Sequence, residues 1–165
     1  LLKNNGFQGT DPGLTAYAAV GNVNISQDTS NPLSTAITSS LKVSVPPGTT
    51  GYVGFANTGY NGVPVLETTY ANYFWIKGTY SGIVTLQLVG SDSGTVFASH
   101  NITIDSNSTA FTYYETSFTS AESPDGNNEW QLLFDASQVA GGALNFGLVQ
   151  LFPPTYHDRY VKIIQ

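Results

Sequence analysis

The chain of 165 residues contains no cysteine and no methionine. Without cysteine there is no disulfide framework, no thiolate nucleophile and no cysteine-held metal. Secretion stays open, because a domain of this size folds without such staples. Charge is scarce as well. Asp, Glu, Lys and Arg make up 10% of the chain, where a quarter is usual, and the five Lys and Arg are scattered singly under a net charge of −6. No basic patch exists to neutralise phosphates, so neither nucleic acid nor an anionic membrane surface is an expected partner. Apolar runs last only a few residues, too short to span a bilayer. Also missing are a Gly-x-Ser-x-Gly elbow, a glycine-rich phosphate loop, and any metal-type pairing around His100 and His157. The chain opens Leu1-Leu2-Lys3 with neither an initiator methionine nor a signal peptide, which reads as a mature or excised piece of a longer precursor.

What is there is a surface polar by hydroxyl and amide, over 41% hydrophobic residues, enough for one core in one domain. The dominant period is two. It predicts strands over Tyr17–Ile25, Leu41–Val45, Gly51–Phe55, Tyr70–Lys77, Gly82–Val89, Thr95–Ile104, Phe111–Thr119, Trp130–Phe134 and Ala143–Phe152. Turn residues such as Pro46-Pro47-Gly48, Asn61-Gly62 and Pro124-Asp125-Gly126 stop them. Asp135–Val139 has room for a single helical turn. Many short strands of this kind make an all-β antiparallel jelly-roll β-sandwich. Inward parity gives a core of Val43, Val45, Val53, Phe55, Phe74, Ile76, Val84, Leu86, Leu88, Ile102, Ile104, Leu132, Phe134, Leu144 and Phe146, with Trp130 as an anchor. Leu148 and Val149 are adjacent and both apolar, which requires either a bulge or a strand covered on both faces.

Retaining glycosidase chemistry needs two carboxyl groups about 5 Å apart. The four glutamates, Glu67, Glu115, Glu122 and Glu129, read as solvated loop and strand-face groups, and no catalytic residue is assigned. His100 shares the inward parity of its strand and reads as a structural histidine. The aromatic residues are more informative, because sugars present apolar C–H faces that stack on rings while nearby polar groups bond their hydroxyls. Tyr73, Trp75, Tyr60 and Tyr80 are the glycan-binding candidates. On Tyr70–Lys77, Tyr73, Trp75 and Lys77 share one face and Phe74 and Ile76 the other. If the latter pair is core, Trp75 stands outside, either as a sugar platform or packed on a further domain. Asn-x-Ser/Thr sequons stand at Asn24, Asn101 and Asn107. Asn101 falls on the water-facing parity and Asn107 in a polar turn, so N-glycosylation and an extracellular location are expected.

Leu1-Leu2-Lys3-Asn4-Asn5-Gly6-Phe7-Gln8-Gly9 resembles the opening of carbohydrate-binding-module families 4 and 9. Tyr73-Phe74-Trp75-Ile76-Lys77-Gly78 is similar to their aromatic second strand, and Leu144–Leu151 falls where they close. A narrower likeness lies in Asn5–Gly9, Asp28-Thr29-Ser30-Asn31-Pro32-Leu33-Ser34, Val53–Tyr60 and Leu151–Tyr156, which look like successive landmarks of fungal family-51 α-L-arabinofuranosidases over roughly residues 1–159. That resemblance implies a sandwich over 1–156, followed by a tail or extra strand over 157–165. It also implies a partner barrel domain carrying two catalytic glutamates, absent from this sequence, and activity on arabinan and arabinoxylan. The chain alone is then an accessory module and not an enzyme, with a plant cell-wall polysaccharide as its implied ligand. The alternative is a stand-alone secreted glycan-binding or structural, assembly-forming glycoprotein. Modules of this type hold a structural calcium through an opening Glu and a closing Asp. Gln8 and Gly147 stand in those places, so neither calcium nor any other cofactor is expected.

Overall fold

A computed structural model describes residues 1–8 and 14–154. The tail over 157–165, with His157, lies outside the described residues. Among the described residues ten strands follow one another: β1 (Tyr17–Val20), β2 (Asn24–Asp28), β3 (Ser40–Ser44), β4 (Tyr52–Asn57), β5 (Thr69–Lys77), β6 (Tyr80–Gly90), β7 (Val96–Ser106), β8 (Thr112–Thr119), β9 (Asn128–Asp135) and β10 (Ala143–Phe152). They form two five-stranded sheets, ordered β1-β4-β9-β6-β7 and β2-β3-β10-β5-β8. Every pairing between these ten strands is antiparallel. A 3-10 turn, Ala136–Gln138, is capped by Asp135, whose carboxylate accepts from the Ser137 N–H at 3.0 Å.

The sequence expectation of one strand over Tyr17–Ile25 is corrected. Gly21 sits at φ +81°, where a side chain is strained, and a Cβ there would meet Val53 Cγ1 at 2.7 Å. The chain turns at this glycine, so β1 joins the first sheet and β2 the second. The adjacent pair Leu148 and Val149 is a bulge. The β10–β5 register shifts between Gly147 and Gln150, Leu148 takes φ +42°, and the freed Val149 N–H donates to the Asn5 carbonyl at 3.0 Å. Val149 thereby enters the core.

That core lies between the sheets. Phe55 of β4 meets Phe146 of β10 with ring centroids 5.1 Å apart, and Trp130 of β9 packs edge-on against Phe55 at 6.0 Å. The Trp130 indole N–H donates to Asn72 Oδ1 across the sandwich at 2.9 Å, so neither polar group is buried unpaired. Of the core expected from parity, all but Ile102 are buried. Ile102 is only partly covered because β7 is an edge strand of its sheet.

Candidate functional site on the second sheet

Alternation along β5 turns Phe74 and Ile76 into the core and leaves Tyr73, Trp75 and Lys77 on the outer face. The β5–β8 register sets Tyr113 opposite Trp75 and Glu115 opposite Tyr73. On the other side, Gly147 lies opposite Trp75, and Gln150 opposite Tyr73. Trp75 and Tyr113 form a tilted pair with centroids 5.0 Å apart. Tyr73 stacks on Tyr113 at 6.3 Å and touches Phe152 at 5.9 Å. Neighbours on both sides therefore leave Tyr73 only 8% exposed, while Trp75 and Tyr113 remain partly exposed. The Tyr113 hydroxyl donates to Glu115 Oε2 at 2.9 Å. Burial, followed by that hydrogen bond and the carboxylate charge, pushes the Tyr113 phenol well above its ordinary value. Burial and the same charge raise Tyr73. Both phenols stay protonated at neutral pH, and the single Tyr113 proton is committed to Glu115. Ala71, Tyr73, Glu115, Thr116 and Ser117 line a shallow cleft of about 290 Å³ beside this pair.

The segment after β2 folds back across the same face. Asp28 accepts hydrogen bonds from the Ser30 N–H at 2.8 Å, the Asn31 N–H at 3.2 Å, and the Asn31 and Asn145 side-chain amides, each at 2.9 Å. Burial alone would raise its carboxyl, but these bonds together outweigh it and hold the pKa below the ordinary value. Lys77 Nζ donates to Asn31 Oδ1 at 2.9 Å, which ties the loop to β5. Leu33 then rests on Gly147, where an added Cβ would come within 3.2–3.3 Å of three Leu33 carbons. Gln8, at the position where the resemblance places a calcium carboxylate, instead donates its amide to the Ala36 carbonyl at 3.1 Å.

Two of the four expected glycan candidates meet here. Tyr73 and Trp75 lie side by side on the outer face, although Tyr73 is covered. Tyr60 is 69% exposed on the β4–β5 connection, where Lys3 Nζ stands 5.7 Å from its ring centroid. Tyr80 is corrected: it is 1% exposed, packs edge-on against Phe134, and its hydroxyl donates to the Ile83 carbonyl at 2.6 Å. A ring held between the sheets presents no platform to a ligand. Asn24, Asn101 and Asn107 are all exposed. Asn107 Oδ1 accepts from the Thr109 hydroxyl at 2.6 Å, and Asn101 Oδ1 from the Thr85 hydroxyl at 2.8 Å. His100 is half-buried on β7. Glu115 lies on the outer face of the second sheet and Glu129 on that of the first, with both layers between them. Tyr113 and Glu115 complete the site, and neither stood among the expected binding residues.

No protein-family model matches the chain. Among curated proteins it is 49% identical over 159 residues to a probable α-L-arabinofuranosidase A of Aspergillus flavus, covering 96% of this chain. It is 58% identical over 128 residues, or 78% of this chain, to the Emericella nidulans counterpart. The chain is homologous to one part of fungal α-L-arabinofuranosidase A. That part is small, 25% of the first relative's length and 23% of the second's. A solved arabinose-bound GH51 α-L-arabinofuranosidase superimposes with a TM-score of 0.88 and 31% identity, over 96% of this chain and 27% of the enzyme. The arabinofuranosidase likeness thus extends from sequence to the sandwich itself.

Proposed function

We propose that the chain is the non-catalytic accessory module of a secreted α-L-arabinofuranosidase, and that the outer face of its second sheet binds arabinan or arabinoxylan. The observation that carries this reading is the partly exposed Trp75–Tyr113 pair beside Glu115. An indole face takes the C–H face of a sugar, and the adjacent carboxylate and phenol exchange hydrogen bonds with its hydroxyls. A retaining glycosidase sets two carboxyl groups across one sugar-sized gap. Glu115 and Glu129, on opposite outer faces, do not make such a pair, and catalysis belongs to the remainder of the relatives' length. The exposed sequons at Asn24, Asn101 and Asn107 are compatible with a secreted glycoprotein.

A second reading is that the same face packs on a catalytic domain. The apolar cover around Tyr73, supplied by Tyr113 and Phe152, favours it. Pull-down of the purified chain on insoluble arabinoxylan separates the two. Retention that Trp75→Ala abolishes supports glycan binding. Absence of retention, with Trp75→Ala destabilising only the full-length enzyme, supports packing.

A further inference from the structure

The corner in which Trp75 stands is closed on two sides. Toward β10, Leu33 occupies the space above Gly147, the direct strand partner of Trp75. Beyond the end of β5, the Lys77–Asn31 bond bridges strand and loop. This wall is braced from below and above: Asn145 holds Asp28 from the sheet, Gln8 holds Ala36, and Ser34 and Ile37 exchange hydrogen bonds within the loop. Among the described residues, the face is open toward β8, which is an edge strand, and toward the cleft of Ala71, Glu115 and Ser117. A long chain crossing the sheet would have to pass through Leu33. With strands about 4.8 Å apart, the open part is two strands wide.

Resting on the glycan reading above, we infer that this face is a dead-end site. It takes the end of a glycan, or a single-residue branch, against the Leu33 wall, and does not take the middle of a long chain. Two titrations of the purified chain test it. In arabino-oligosaccharides of increasing length, affinity should rise to a short ligand and then change by less than about twofold. With arabinoxylan, enzymatic removal of the arabinose branches should abolish most of the binding. Leu33→Ala, checked for an unchanged melting temperature, should make affinity grow with length; the wild-type series decides if this variant is unstable. Affinity that climbs steadily with length in the wild type, or survives debranching, overturns the dead end while leaving glycan binding intact. No binding to any of these ligands overturns the glycan reading itself, and the dead end with it.

Discussion

On the outer face of the first sheet, polar groups of β6, β7 and β9 satisfy one another, while Tyr52 and Ile83 stand exposed on the same sheet. Gln87 donates to Gln131 at 2.7 Å, Gln131 to Glu129 at 2.6 Å, and Thr85 to Asn101 at 2.8 Å. On the outer face of the second sheet, Trp75, Tyr113 and Phe152 surround Tyr73 under a loop that reaches over from β2. Both faces arise from the same alternation around one core. They differ in what the outward positions want: an amide ladder is content in water, whereas rings in water cost about 25 cal/mol per Å² of apolar area until something covers them. The first face is suited to solvent and to an attached glycan at Asn101, and the second to a ligand or partner.

The largest expected effect strikes both faces through the core they share. Trp130→Ala should destabilise the fold by about 3–5 kcal/mol, read by chemical denaturation, because it opens a cavity and strands Asn72 Oδ1 without its donor. Next, Trp75→Ala should weaken glycan binding about tenfold, roughly 1.4 kcal/mol, in a titration where the melting temperature barely moves. A large stability loss with unchanged binding would turn the second face into a packing surface. Smaller still is the acid response of the wall. The Asp28 pKa lies below its ordinary 3.8 in the folded chain, so its stabilisation is complete above that value and lost as pH falls through the folded pKa. Melting curves of Asp28→Asn should therefore show a shallower acid limb than wild type. The smallest effect belongs to the first face: Gln131→Ala should cost under about 0.5 kcal/mol and leave binding unchanged. A binding loss there would erase the contrast between the faces.

Much of this contrast was legible in the sequence. Period-two alternation placed Trp75 and Tyr73 opposite Phe74 and Ile76, and the surroundings of Trp130 marked it as core. The cover on Tyr73 was not legible, because it comes from β8 and β10, whose registers are tertiary facts. Glu115 reads as an isolated exposed carboxylate until β8 brings Tyr113 and Tyr73 beside it. Tyr80 was misread for a local reason. Ending the strand at Gly82 hid that Tyr80 shares the inward parity of Val84, Leu86 and Leu88. The Asp28-Thr29-Ser30-Asn31 turn has a local signal, since Asp caps the following amides, but nothing local shows Leu33 landing on Gly147.

Glycan binding by the second face is tested most directly by an amide-shift map by NMR of the isotope-labelled chain, titrated with a short arabino-oligosaccharide. Shifts should concentrate at Trp75, Tyr113, Glu115 and Leu33, with Gln87, Gln131 and Thr85 unmoved. Shifts confined to the first sheet, or none at saturating sugar, would contradict it.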